Sequence, residues 1–173
     1  MLKFSGIVFL LVLQGCTTSS GIQTAFDSAT QARIRVFHGT AVYLYLGDVC
    51  DGNPQTVIHA GAGGFSYLKP NKKIGMPATD DMPFSYHEYA IPANKPLTIM
   101  MHWQAQKANG VWESCGPIYT NFTPKAGQDY DTSMSFHRGV CQGVKVREII
   151  SDGNNKVTTA VAPINGLPFR QCS

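Results

Sequence analysis

From Arg33 to Val161 the chain is cut by Gly, Pro and Asn into short segments, and none of them sustains an amphipathic helical period for ten residues. Arg33 to Phe37 alternates polar and apolar, and Val42 to Leu46 is β-branched and aromatic; both patterns belong to strands. The same reading predicts strands at Thr56–His59, Tyr67–Ile74, Tyr86–Ile91, Leu97–Trp103, Pro117–Phe122, Tyr130–His137, Val144–Ile150 and Val157–Val161. The clearest is Tyr130–His137, in which Tyr130, Thr132, Met134 and Phe136 share one face while Asp131, Ser133, Ser135 and His137 share the other. Many short strands separated by turns predict an all-β sandwich. At 173 residues, with 43% hydrophobic side chains, the chain can fill one core of ordinary size.

Two turns refine this expectation. Ile91 to Pro96 introduces one strand, and Phe122 to Tyr130, with Pro124 and Gly127 in it, introduces another. The second resembles the tyrosine corner of immunoglobulin-like domains, in which a Tyr opening a strand turns its hydroxyl back to upstream backbone. The resemblance implies an immunoglobulin-like or transthyretin-like antiparallel sandwich over residues 33–173.

The first sixteen residues carry one charge, at Lys3, then an apolar run from Phe4 to Leu13 that is too short to span ~30 Å of hydrocarbon as a helix. This is the order of a secretion signal. Leu13-Gln14-Gly15-Cys16 resembles the lipobox of bacterial lipoproteins, with Gln14 a departure from the small or aliphatic residue usual there. The resemblance implies a signal peptide over residues 1–15, cleavage before Cys16, and acylation of that cysteine; two or more acyl chains anchor stably where one does not. Thr17, where inner-membrane retention would favour Asp, resembles the outer-membrane class. Residues 16–32 then form the lipidated cysteine and a small, polar tether with a span of roughly 22 Å.

With Cys16 assigned to lipid, Cys50, Cys115, Cys141 and Cys172 remain, and an even number in an exported chain predicts two disulfides. Three pairings are possible. The preferred one joins Cys115 to Cys141, because a hairpin turning at Pro124–Gly127 would bring them together, and Cys50 to Cys172, pinning the tail. In the chain-entropy picture the two loops contribute about 3.5 and 5 kcal/mol. No pair has the spacing of a zinc ribbon or a redox motif.

Only 14% of residues are charged and the formal net charge is +3, which excludes a binder relying on dense basic clusters. Arg33/Arg35, Lys69/Lys72/Lys73 and Lys145/Arg147 read as solvated strand faces or turns. His38, His59, His87, His102 and His137 form no metalloprotease motif, and His87 and Glu88 point to opposite faces of their strand. Asp80 and Asp81, between Pro77 and Pro83, read as turn residues. Gly61 to Gly64 lacks the ending of a phosphate loop, and Ser66 lacks the frame of a nucleophile elbow. Neither a cofactor nor a metal is expected.

The longest connection, residues 60–84, concentrates Phe65, Met76, Met82 and Phe84 among glycines and prolines. Long loops in compact domains are often functional, and Met and aromatic side chains are enriched at interfaces. These four residues are therefore the candidate partner surface, the alternative being that they cap the open end of the sandwich. The expected function is that of a non-enzymatic, lipid-anchored envelope protein that binds or scaffolds another envelope component. By analogy of fold an accessory lipoprotein of a type VI secretion complex is one version; an inhibitor of a lysozyme or toxin is the alternative, and a small hydrolase using Asp80, Asp81 or His87 a more distant one.

Overall fold

The computed structural model describes residues 26–47, 57–61, 70–138, 140–153 and 156–165, and among them every regular element is a strand. The nine strands are β1 (Gln31–Phe37), β2 (Ala41–Leu46), β3 (Val57–Gly61), β4 (Tyr86–Pro92), β5 (Leu97–Gln106), β6 (Trp112–Phe122), β7 (Asp129–His137), β8 (Val140–Ser151) and β9 (Val157–Val161). They form a five-stranded sheet in the order β4-β1-β7-β8-β9 and a four-stranded sheet in the order β3-β2-β5-β6. The facing sides interdigitate. Ile34, Val36, Ile91, Tyr130 and Val146 from the larger sheet meet Val42, Leu44, Ile99, Met101, Ile118 and Phe122 from the smaller, all at 2% exposure or less. The sandwich expected from strand spacing is present.

Three expectations are corrected. Residues 70–74 are not strand; Lys72 makes a single bridge to His87, and 67–69 lie outside the described residues. The turn at Pro124–Gly127 does not close a hairpin, because β6 and β7 lie in different sheets. Its backbone is satisfied by other segments: Asn94 N donates to Pro124 O at 2.7 Å and Gly127 N to Gln31 O at 2.8 Å. Lys125 N donates to the Tyr130 hydroxyl at 3.0 Å, the hydrogen bond anticipated for a tyrosine corner. Finally, the sheets are not wholly antiparallel. β1 runs parallel to β7 because both strands start at this arch, where Arg33 N donates to Gln128 O.

The Cys115–Cys141 disulfide is formed, with Cα atoms 6.0 Å apart, but it is an inter-sheet bond. Cys115 lies on β6 and Cys141 on β8. Both hairpins are bulged at this level, β5/β6 between Met101 and Trp103 and β7/β8 between Ser135 and Phe136. A bulge bends its strand, and these two incline the hairpin arms towards each other. Gly116, at φ 98°, is required at the first; a Cβ there would meet Met101 O at 2.5 Å.

Candidate functional site at the apex of the sandwich

The long connection divides into two parts with different roles. Residues 70–82 lie as a strap on the outer face of the five-stranded sheet, held by a row of alternating charges. In register across that face stand Glu88 on β4, Arg35 on β1, Asp131 on β7 and Arg147 on β8. Arg35 donates to Glu88 Oε1 at 2.8 Å and to Pro77 O at 2.8 Å. The other carboxylate oxygen of Glu88 accepts from Ile74 N at 2.7 Å and Met76 N at 3.3 Å. Arg147 forks onto Asp131 at 2.8 and 2.7 Å and also reaches Asp81. Arg33 makes a parallel fork with Asp129 and donates to Gly75 O at 3.0 Å.

Arg35 and Glu88 side chains are 1% and 2% exposed, so the expectation that Arg33/Arg35 form a solvated face is overturned. The strap's backbone carbonyls and N–H groups supply most of the hydrogen bonding that a buried pair requires; Arg35 Nη1 alone of its nitrogens has no hydrogen-bond partner among the described residues, and the guanidinium lies 5.0 Å from the Tyr86 ring centroid. Arg147, held by Asp131 and Asp81, is raised above its ordinary pKa, and its hydrogen bond holds the Asp81 carboxyl below the usual carboxylate range. Asp81 is thus an ion-pair partner, while Asp80 is exposed in the turn.

Of the four proposed contact residues, Met76 is buried at 8%, which removes it from any exposed surface. Met82 is half-buried, and Phe65 lies outside the described residues, as do Cys16, Cys50 and Cys172. Phe84 is fully exposed. It precedes β4 at the end of the sandwich where β1 finishes, since Tyr86 pairs with Phe37 and His38 N donates to Ser85 O.

That end, the apex, is opposite the one where the chain enters β1 at Gln31. Among the described residues, only the β5–β6 and β7–β8 hairpins, joined by Cys115–Cys141, continue beyond the β1–β2 turn at 38–40. Their inner faces meet in an edge-on contact of Trp103 and Phe136, ring centroids 5.4 Å apart. Their tips expose Val111 at 55%, Trp112 at 64%, Phe136 at 45% and Val140 at 61%. The β5–β6 tip is closed by a tight turn, with Lys107 N donating to Val111 O and Gly110 at φ 82°, and Lys107 pairs with Glu113. The β7–β8 tip turns through Arg138 at φ 51°.

Below the hairpins a cavity of about 160 Å³ is lined by residues of the end of β1 and the β1–β2 turn, of β5 and of β7, among them Phe37, His38, Met101, Met134 and Phe136, together with Pro83. Drug-sized sites run to ~300–1,000 Å³, whereas a cavity of ~150 Å³ accommodates a benzene-sized group. The apex cavity therefore matches one apolar side chain. His38 is fixed beside it by Ser85 Oγ at 2.6 Å and by the edge of His87, ring centroids 4.4 Å apart. His87 in turn contacts Pro70 O and the Tyr89 hydroxyl, which donates to Ala60 O at 2.8 Å and closes the side of the sandwich. Asp81 and His87 are each engaged in these separate networks, and no group of three His, Cys, Asp or Glu that could hold a metal is present among the described residues.

Sequence reasoning did not single out Val111, Trp112 or Val140. The available signal was the turn at Lys107–Gly110 followed directly by Val111 and Trp112, two apolar residues where a hairpin tip needs none. Comparison with protein-family models, with curated proteins and with solved structures found no match.

Proposed function

We propose that the chain is a non-enzymatic lipoprotein of the bacterial outer membrane, anchored through acylated Cys16, whose immunoglobulin-like domain binds or scaffolds another envelope component through its apex. The observation carrying this reading is the pair of disulfide-joined hairpins that hold Trp112, Phe136, Val111 and Val140 in water beside a side-chain-sized cavity. Exposed aromatics on a fixed support lose little entropy when covered, and Trp is the residue most enriched among interface hot spots. The immunoglobulin-like assignment is supported by the tyrosine-corner hydrogen bond and by the five-on-four strand arrangement.

The second disulfide, Cys50–Cys172, belongs to the same proposal. Gly47 O accepts from Thr98 Oγ1, which accepts from Asn121 Nδ2, while Asn121 Oδ1 accepts from Asn165 Nδ2. Cys50 follows Gly47 by three residues and Cys172 follows Asn165 by seven. At 3.3–3.6 Å per residue the two cysteines are within mutual reach. Non-reducing peptide mapping checks this pair.

The test of function separates anchor from apex. Wild type is expected to partition with membranes and Cys16→Ser to be soluble, with mass spectrometry identifying the acylated amino terminus. An envelope component captured by wild type and lost with Trp112→Asp, while the melting temperature is retained, supports the apex reading. A secreted hydrolase captured in its place favours the inhibitor alternative. Capture unaffected by Trp112→Asp and Phe84→Asp contradicts the reading.

A further inference from the structure

The edges of the two sheets are finished differently. Along β4 the strap covers the free edge, with Glu88 N donating to Lys72 O and Tyr86 N to Asn71 Oδ1. Along β6 the Gly116 bulge interrupts pairing, and Asn165 N takes Asn121 O. Among the described residues β9 has none of these devices. Its sequence, Val157-Thr158-Thr159-Ala160-Val161, contains no charge and no Pro, and its pairing with β8 is regular. Thr158, Ala160 and Val161 are exposed, Val161 at 76%. Natural sheets rarely leave such an edge unprotected.

We propose that β9 pairs with β9 of a second copy of this chain, antiparallel about a two-fold axis at Thr159. The register with β8 determines which groups are available. Ala162 N donates to Val146 O and Asp152 N to Lys156 O, so residues 156, 158, 160 and 162 direct their backbone groups at β8. By the alternation of an antiparallel ladder, Val157, Thr159 and Val161 direct theirs at the open edge. These three are symmetric about Thr159. Val157 meets Val161 of the second copy and Thr159 meets its own counterpart, so every outward N–H and C=O in the strand finds a partner.

Side chains agree with this register. Val161 is covered by Val157 of the second copy on one face, and Thr158 lies beside Ala160 on the other. Lys156 falls opposite Ala162, so no like charges meet, and a net charge of +3 gives the copies little reason to repel. Closed two-fold pairing is the commonest form of self-association. In this dimer the apices point in opposite directions, giving a bivalent particle whose strands lie along the membrane surface and do not stand upright on it.

The test uses the full chain in detergent. Sedimentation velocity is expected to show a dimer at micromolar concentration. A hydrogen-bonded antiparallel pair places its Cα atoms ~5.5 Å apart, within disulfide range. Thr159→Cys is therefore expected to cross-link through residue 159 under mild oxidation, and Thr158→Cys is not. Thr159→Pro removes the outward N–H without touching the β8 ladder and is expected to yield a monomer with a melting temperature near wild type. Should that variant unfold, Val157→Lys with Val161→Lys sets like charges opposite each other across the axis and is expected to give the same monomer. A wild type that is monomeric throughout, leaving the edge to a strand from another protein, overturns the proposal. So does a dimer that survives both edge variants, or failure of Thr159→Cys to cross-link.

Discussion

The outer face of the five-stranded sheet and the apex depart from the usual distribution of residue types in opposite directions. On the face, Arg35, Glu88 and Asp131 are buried at 1% exposure; at the apex, Trp112 and Phe84 stand in solvent. The buried charges are answered within the chain, each by a counter-ion in register and several by strap backbone. The exposed aromatics are answered by nothing among the described residues. A charge-paired network of this kind is structural, and the uncovered apolar surface at the apex is where we propose that a partner binds.

The largest expected effect breaks the charge-paired side. Arg35→Ala leaves Glu88 buried without its cation and is expected to destabilise the fold by about 3–5 kcal/mol in urea titration. Arg35→Met with Glu88→Leu removes both charges and is expected to recover most of that loss. It does not restore the acceptor for Ile74 N and Met76 N, so limited trypsin digestion after Lys72 and Lys73 is expected to accelerate in the double variant even as global stability returns.

Replacing Cys115 and Cys141 together by Ser is expected to cost about 2–4 kcal/mol, less than the single buried-charge lesion at its upper end. Its distinctive mark is local: hydrogen exchange should rise at the β5–β6 and β7–β8 tips before it rises at the strap. Tyr130→Phe, which deprives Lys125 N of its acceptor, is expected to cost about 1–2 kcal/mol. Burial pushes the phenols of Tyr130 and Tyr89 above their ordinary value. The unfolded chain therefore ionises first, and stability is lost as pH rises from ~10 through the folded values. Tyr130→Phe should flatten that decline.

The smallest effect concerns the end of the charge row. Asp81 is 61% exposed, so Asp81→Asn is expected to cost less than about 1 kcal/mol. Its lowered pKa means that its contribution is present above the ordinary carboxylate value of ~3.9 and is lost as pH falls through the folded value. The melting-temperature difference between wild type and Asp81→Asn should accordingly close as pH falls below about 4.

Strands that alternate around the core were readable because one face must be apolar. Tyr130 to Met134 and Arg33 to Phe37 are examples. The protruding arms were not, since Ala105 and Glu113 are only half-buried and Gln106 and Ser114 exposed, so that neither face needs to be apolar. The pairing of Cys115 with Cys141 was anticipated through a hairpin that does not exist; what joins them is two bulged hairpins from different sheets. The charge row was missed because each member occurs singly, in strands remote in sequence. Its trace was nonetheless present: Arg35, Glu88, Asp131 and Arg147 each occupy an outward position of a strand with a buried inner face, with signs that alternate only once strand order is known. Of the four candidate contact residues Phe84 is exposed, whereas Met76 is buried, since its backbone is what Glu88 and Arg35 hold.

The contrast between a self-satisfied face and an unsatisfied apex is tested most directly by site-specific photo-cross-linking in intact cells. A benzophenone amino acid replaces Trp112, Phe84 or, as a control at the opposite end of the sandwich, exposed Lys95. Cross-links to one envelope component from positions 112 and 84, and not from 95, are the predicted result. Equal cross-linking from all three positions, or cross-links from 95 alone, would contradict the assignment of the apex as the binding end.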